Sequence, residues 1–343
     1  MGHITIKDLA LQSGLSKSTV SRALANDINV SASTRKKVQE LARQLGYTRN
    51  ELAVDFTHRR SHTIGVVVPE IVTPFFINII NSIQQSLYAK GYKVIITQSD
   101  ENPDIELHNL RMLESYRVDG IIACVCREDK NMEEYRRLQD SGIPVVFFNR
   151  TPGKMEVTKV VTDDYIKSFF VVEHLIRQGR RKIVHLTGLP WIPTSSDRLR
   201  GYRDALEKFR LPCDSELIIH CPDIRISDGY RKMESFLPAH KDIDAVFGFT
   251  DTLAIGAMKY LQKAGVRIPD QVAVAGFSGT LLATLVSPAL TTVVQPLDEM
   301  GRTAAQLLLD KITNPALPDK TVELKAEIVV RQSTDKEALE ELY

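Results

Sequence analysis

Gly14 to Asn26 reads GLSKSTVSRALAN, in which Lys17, Ser18, Ser21 and Arg22 supply hydrogen-bond donors at helical spacing. On a helix Val20, Ala23 and Leu24 share one face, Ser18 and Arg22 point the opposite way, and Lys17 and Ser21 lie on the flank. The outer face carries no bulk. Such a face suits a DNA major groove about 12 Å wide, where Arg donates two hydrogen bonds to guanine and Ser or Lys reach other base edges or phosphates. A helical hairpin with a solvated charged face has the same composition, so this stretch alone leaves both readings open.

Its neighbours are the elements that must hold it. Thr5 and Asp8 form a capping-box pattern ahead of a two-turn helix with Ile6, Leu9, Ala10 and Ser13 on one side and Gly14 at its end. Ser16 caps the second helix. Ser31 caps a third, which turns Val38, Leu41, Ala42 and Leu45 toward the other two and stops at Gly46. Two helices joined by a tight glycine turn, the second polar and basic outward, are the layout of a helix-turn-helix DNA reader. Beyond it, Asn50 caps a short helix over about 50–57, and the polar, basic run from Thr57 to Thr63 reads as a linker, which sets a boundary near residue 60.

The charge is distributed accordingly. Residues 1–60 hold ten Lys and Arg against five Asp and Glu, about +5; since the whole chain is +1, the remainder carries about −4. A basic front on a mildly acidic body points to nucleic acid as the partner of the front. At 343 residues the chain exceeds one ordinary core, which implies at least two globular units. No uncharged apolar run approaches the ~18 residues of a membrane span, and the N-terminus has no secretory character, so a cytoplasmic protein with no membrane association is expected. Cys124, Cys126, Cys213 and Cys221 fit neither a disulfide framework nor zinc spacing and read as reduced, packed thiols.

From Ile64 onward, Val- and Ile-rich runs alternate with helical stretches: IGVVVP, YKVIITQS, GIIACVC, IPVVFFN, KIVHLTG, ELIIHC, AVFGFTD and QVAVAGFSG. Continuous rather than alternating apolar runs, separated by segments such as 77–90 and 167–178, predict parallel strands with crossover helices. About 280 residues is large for one such sheet, which predicts two doubly wound α/β lobes with a ligand cleft beyond the carboxyl ends of their strands. The loops PEIVTPFF, FNRTPG, TGLPWIPTSSDR, FTDTLA and GFSGT should line it. There is no dinucleotide or phosphate-loop glycine pattern, and His174 and His185 belong to no metal motif. No catalytic residue, metal or cofactor is therefore assigned, and an enzyme is not the expected reading.

With these segments assembled, the chain resembles the lactose-repressor and galactose-repressor family of bacterial transcription regulators, across nearly everything from Thr5 to Thr334. The similar segments are TIKDLALQSGLSKSTVSRALAN, VSASTRKKVQELARQLGY, IGVVVPEIVTPFF, DGIIA, RLRGYRDAL, DTLAIGAMKYLQKAGVRIP, LTTVVQP and RQST. The resemblance implies a three-helix headpiece over 1–60 and a two-lobed, periplasmic-binding-protein-like core over 61–343. Its first lobe is roughly 63–161 plus 290–320, and its second 162–289 plus 321–340. It implies a homodimer on a pseudo-palindromic operator, controlled by a small effector in the cleft. Ligand capture by a transport-type sugar-binding protein is the alternative, disfavoured by the basic headpiece.

By the same resemblance Lys17, Ser18 and Arg22 read bases, Thr19 and Ser21 hold phosphates, and Thr5, Ser16, Ser31, Asn50, Ala53 and Phe56 complete the DNA-contacting set. The hinge departs from the family: Arg49 replaces a Pro, Phe56 replaces a Leu wedge, and Glu51 and Asp55 bring carboxylates close to phosphates. Phe also wedges between base steps. The effector set carried over is Phe75, Phe76, Asn149, Arg150, Arg198, Ile224, Asp251 and Ser278, with Trp191 added either as a ring that stacks on a sugar or as one packed against a hinge. Ser278 stands where relatives have an Asp, and Ile224 where many have an aromatic platform. The expected effector is a sugar, sugar acid or phosphosugar, and losing that carboxylate while keeping Arg198 and Arg150 shifts the expectation toward the anionic members of that set. The nine residues after RQST are too few for a tetramerising coiled coil, so a dimer is expected.

Overall fold

The computed structural model describes residues 4–47, 60–153 and 155–338. The chain divides into two compact units, Met1–Ser61 and His62–Tyr343. The predicted hinge helix over 50–57, with Asn50, Ala53 and Phe56, lies outside the described residues.

In the first unit α1 (Ile6–Ser13), α2 (Lys17–Leu24) and α3 (Ala32–Gln44) begin and end where their capping residues dictate. The Asp8 carboxylate accepts from both the backbone N–H and the hydroxyl of Thr5. These bonds hold the Asp8 carboxyl below its ordinary pKa. Gly14 closes α1 at φ 71°, a left-handed turn that costs a residue without Cβ nothing. Ser16 Oγ accepts from the Thr19 N–H and Ser31 Oγ from the Thr34 N–H, each satisfying a first-turn donor the helix leaves free. Leu9, Ala10, Val20, Ala23, Val30, Val38 and Ala42 form the buried core. Arg35 fastens the α2–α3 turn from below by donating to the carbonyls of Asp27 and Val30.

The second unit contains, among its described residues, two six-stranded sheets. In the first lobe β1 (Thr63–Val68), β2 (Lys93–Gln98), β3 (Gly120–Ala123), β4 (Val145–Phe148) and β5 (Lys159–Thr162) alternate with α4 (Pro74–Tyr88), α5 (Pro103–Ser115) and α6 (Met132–Asp140). The second lobe follows with α7 (Asp164–Arg177), β6 (Ile183–Thr187), α8 (Pro193–Lys208), β7 (Ile218–His220) and α9 (Ile226–Phe236). It continues through β8 (Ala245–Gly248), α10 (Asp251–Lys263), β9 (Ala273–Ser278), α11 (Leu282–Leu285) and β10 (Thr291–Val294). The chain returns through α12 (Leu297–Thr313) and β11 (Thr321–Leu324) and ends in β12 (Glu327–Val329). The strand orders are β11-β5-β4-β3-β1-β2 and β12-β10-β9-β8-β6-β7. Every pairing is parallel except β10 with β12. Each sheet reverses direction of growth beside its first strand, which is where open α/β sheets bind ligands.

All eight apolar runs read from the sequence are strands. The lobe limits differ from the expected 290–320 and 321–340: β10 pairs with β9 in the second sheet, and β11 pairs with β5 in the first. The crossings therefore follow Thr162, Val294 and Leu324. Assignment of a four-residue strand depends on the edge it bonds to, and composition does not encode that. Cys213 is exposed rather than packed, whereas Cys124, Cys126 and Cys221 are buried, and all four are free.

Glycine lets the helices approach closely. A Cβ on Gly256 of α10 would sit 2.1 Å from the Ile226 carbonyl of α9, and one on Gly301 of α12 2.6 Å from the Ile79 carbonyl of α4. These contacts press the layers onto sheets whose central strands carry fully buried side chains such as Val66, Ile122, Phe147, Phe247 and Phe277. Each such side chain contributes about 1.5–3 kcal/mol, a stabilisation that keeps the strand ends, and the loops on them, in place.

Candidate functional site: an exposed donor face and an interlobe cleft

On α2 the Val20 and Ala23 side chains are buried, while Lys17, Ser18 and Arg22 are exposed and Thr19 and Ser21 are half-exposed. Ser16, Ser18 and Thr19 share hydroxyl hydrogen bonds of 2.8 and 2.9 Å at the start of the helix. These hydroxyls are gathered at the positive end of the helix, where an anionic oxygen is stabilised. Thr5 and Ser31 are exposed as well and cap the other two helices.

In the second unit, loops from the carboxyl ends of both sheets enclose a cavity of about 250 Å³. Phe75, Phe76, Asn149, Arg150, Arg198, Ile224, Asp251 and Ser278 all line it. Trp191 does not: its ring lies under the Arg127 guanidinium, 4.7 Å away, and its carbonyl accepts from the Glu128 N–H. The ring considered for stacking on a ligand therefore packs against a loop of the other lobe. Phe75 and Phe76 meet edge to face at 5.1 Å, set by the first turn of α4, and Phe249 supplies a further aromatic wall.

The polar groups of the cavity are largely committed. Arg198 is 3% exposed and donates from Nε to Asp164 Oδ1 at 2.6 Å and from Nη1 to the Phe249 carbonyl at 2.6 Å. Its guanidinium stacks on Phe277 at 3.6 Å. Burial outweighs the Asp164 charge and lowers its pKa. Arg150 donates from Nη1 to both Glu101 carboxylate oxygens at 2.8 Å. Burial there works to lower the pKa, and the Glu101 charge and hydrogen bonds more than reverse it. Asp251 is turned into the protein, accepting the Thr292 hydroxyl at 2.5 Å and the Thr280 N–H at 3.0 Å. Burial raises its pKa against those bonds.

One acceptor is left over. Asn149 Oδ1 is buried with no partner among the described residues, on a side chain that lines the cavity. An unpaired buried carbonyl costs roughly 1–3 kcal/mol, which a donor on a ligand would recover. Asn149, Ile224 and Ser278 also hold positive φ, at 56°, 53° and 139°. For β-branched Ile224 that backbone is strained, and the Thr252 hydroxyl fastens it by donating to its carbonyl at 2.6 Å.

The sequence reading missed Asp164 and Glu101, the partners of the two arginines, and Phe249. Phe249 stood in a loop already assigned to the cleft, but no pattern in the chain pairs Arg198 with a residue 34 positions earlier. The loop after β2 was also missed, and it adds Asp100 and Glu101; in the loop after β7 only Ile224 was assigned, and its neighbours Asp223 and Arg225 line the cavity as well. The lining thus holds five carboxylates, Glu70, Asp100, Glu101, Asp223 and Asp251, against three guanidiniums, Arg150, Arg198 and Arg225. That balance removes the support for an anionic ligand. The expected loss of one carboxylate at Ser278 is outweighed by others, and both buried arginines already face acids.

A helix-turn-helix unit followed by a two-lobed α/β core with an interlobe cleft defines a ligand-binding regulator of DNA. Residues 5–50 match the family described as bacterial regulatory proteins, lacI family, and residues 61–333 match periplasmic binding proteins and sugar binding domain of LacI family. Catabolite control protein A of Priestia megaterium is 32% identical over 333 residues, 97% of this chain and 99% of that protein. The HTH-type transcriptional repressor CytR of Escherichia coli strain K12 is 31% identical, covering 96% of each chain. Among solved structures, a complex of the transcriptional regulator CelR with cellobiose is 28% identical, with a TM-score of 0.72 over 96% of this chain and 100% of that one.

The chain belongs to the LacI family. It is a DNA-binding transcription regulator carrying an effector domain of the sugar-binding class. No helix of the described residues is long and apolar enough to cross a membrane.

Proposed function

We propose that this regulator binds an inverted-repeat operator as a homodimer and that a neutral, hydroxyl-bearing ring, a sugar or a close relative of one, occupies the cleft and controls that binding. Lys17, Ser18 and Arg22 read base edges. Thr5, Ser16, Thr19, Ser21 and Ser31 hold phosphates, and Asn50, Ala53 and Phe56 act in the hinge. Phe75, Phe76 and Phe249 pack on the apolar faces of the ring. Arg150, Arg198 and Asn149 meet its hydroxyls, while Ile224, Asp251 and Ser278 shape the wall.

The carrying observation is the unpaired Asn149 Oδ1. A carbonyl oxygen needs a donor, which any sugar hydroxyl provides; a uronate or phosphate of the same sugar brings such hydroxyls too, but adds an anion that the five lining carboxylates oppose. The relative solved with cellobiose holds a neutral sugar. Operator fragments selected from a random DNA pool, with and without neutral sugars and their uronates or phosphates, test both halves of the reading. Selection of inverted repeats whose capture responds to a neutral sugar is the expected result. Tight binding of the uronate or phosphate with no response to the parent sugar would overturn the ligand class. Failure to retain any duplex at low salt would overturn the DNA reading.

A further inference from the structure

We propose that Asp164 is a positioning residue that joins Arg198 in the cleft to the chain crossings between the lobes, so that whatever engages Arg198 is felt at those crossings. The inference rests on the effector reading of the cleft. Its basis is a continuous chain of hydrogen bonds between buried groups.

Arg198 donates to Asp164 Oδ1, and the Thr162 hydroxyl donates to Asp164 Oδ2 at 2.6 Å. The same Thr162 oxygen accepts from Gln295 Nε2 at 2.9 Å. Thr162 ends β5 at the first crossing, and Gln295 follows β10 at the second. Asp163, between Thr162 and Asp164, accepts the N–H of Ala326 at 3.0 Å, and Ala326 lies at the third crossing between β11 and β12. Every residue in this chain is less than a tenth exposed, so water does not substitute for a broken link.

The polarity converges on Asp164 from both ends. Gln295 donates to Thr162, Thr162 donates to Asp164, and Asp164 accepts from Arg198 as well. Asp164 thus uses one oxygen for the cleft and the other for the crossings. At the far end Gln295 Oε1 is buried without a partner among the described residues, and the Gln295 N–H donates to the carbonyl of cavity-lining Ser278 at 3.3 Å. An acceptor left open at the second crossing gives that segment a second arrangement to move toward when the Arg198 end is disturbed.

Hydrogen exchange on the full chain, without ligand or DNA, tests this separately from the effector reading. Arg198→Lys should speed exchange in segments 290–297 and 323–328 by about five- to tenfold while 93–98 keeps its rate. Thr162→Val removes the middle hydroxyl at almost constant shape. In that background Arg198→Lys should add nothing at 290–297. If Arg198→Lys does not fold, Asp164→Asn carries the same expectation. As a spectroscopic readout, the side-chain amide resonance of Gln295 should shift in Arg198→Lys and stop responding once Thr162 is Val. Exchange confined to 162–166 and 196–200, or an equal increment in both backgrounds, would reduce Asp164 to a local packing partner and overturn the proposal. Absence of any cleft ligand would instead defeat the effector reading and leave these rates as predicted.

Discussion

Acidification should destabilise the core through His185, which sits in β6 directly before the loop that feeds α8 into the cleft. The ring is fully buried, stacked between Tyr202 at 5.1 Å and Phe247 at 4.8 Å. Nδ1 lies 3.0 Å from the Phe247 carbonyl, which assigns the proton to Nδ1, and Nε2 has no partner among the described residues. A second proton would create a buried N–H with nothing to accept it. Burial therefore lowers the pKa from 6.5 to about 3, and the positive charges of Arg198, His220 and Arg203 work in the same direction.

Because the folded value is the depressed one, the unfolded chain binds more protons between the two pKa values, and stability falls as pH falls. The contribution is nearly complete at pH 7. It loses about 2 kcal/mol by pH 5 and about 3 kcal/mol by pH 4, and the loss ends only below the folded value. His185→Phe keeps a ring between Tyr202 and Phe247 but loses the Nδ1 hydrogen bond to the Phe247 carbonyl, a pH-independent cost of about 0.5–1.5 kcal/mol. Urea unfolding of both proteins at pH 7, 6 and 5, followed by the single Trp191 in the core, isolates the histidine. His174, whose pKa burial also lowers, titrates in both proteins and cancels. The variant starts less stable, and its deficit should shrink by about 2 kcal/mol between pH 7 and pH 5. A deficit that stays constant over that range would refute the assignment of a neutral, desolvated ring.

Three further outcomes follow from named contacts. Gly256→Ala gains about 1 kcal/mol of helix propensity, but its Cβ would lie 2.1 Å from the Ile226 carbonyl; urea titration should show net destabilisation of about 1–3 kcal/mol, and a more stable variant would contradict the close α9–α10 approach. Trp191→Phe should change sugar affinity, read by calorimetry, by less than about threefold, since the ring lies outside the cavity, whereas a tenfold loss, about 1.4 kcal/mol, would place it on the ligand. Arg22→Ala should weaken selected operator DNA by about 1–3 kcal/mol and relax sequence choice at one position, and equal weakening on random DNA in a filter-binding series would reassign Arg22 to a phosphate.

The headpiece was the most legible part of the chain because its elements are local. Thr5, Ser16 and Ser31 cap helices within three residues of themselves, Gly14 ends one by its own backbone, and Val20 and Ala23 recur at helical spacing on one face. Strands β1, β3, β4, β6, β8 and β9 were legible for a related reason: a strand buried on both faces is a continuous apolar run wherever it sits in the sheet, and the partly exposed edge strands β2 and β7 still carry short Val and Ile runs. The same signal fails for β10 and β11, each four residues long, whose lobe is decided by a pairing partner elsewhere in the chain.

The cleft divides along the same line. Carry-over from the family brought Phe75, Phe76, Asn149 and Arg198 to one cavity, because loops that follow successive parallel strands must converge. What each side chain does there was not legible, since it depends on the partner it finds. Arg198 looked free to bind an anion until Asp164 was placed against it. Asp251 was carried over as an effector-site residue, and in the structure the Thr292 hydroxyl and the Thr280 N–H occupy its carboxylate. Trp191 looked like a sugar platform until Arg127 covered its ring. In each case the residue type matched the chemistry and the hydrogen-bond ledger did not. Among the buried polar atoms of the described lining, Asn149 Oδ1 is the one left without a partner, so it and the carboxylate-rich lining together carry the reading of the ligand.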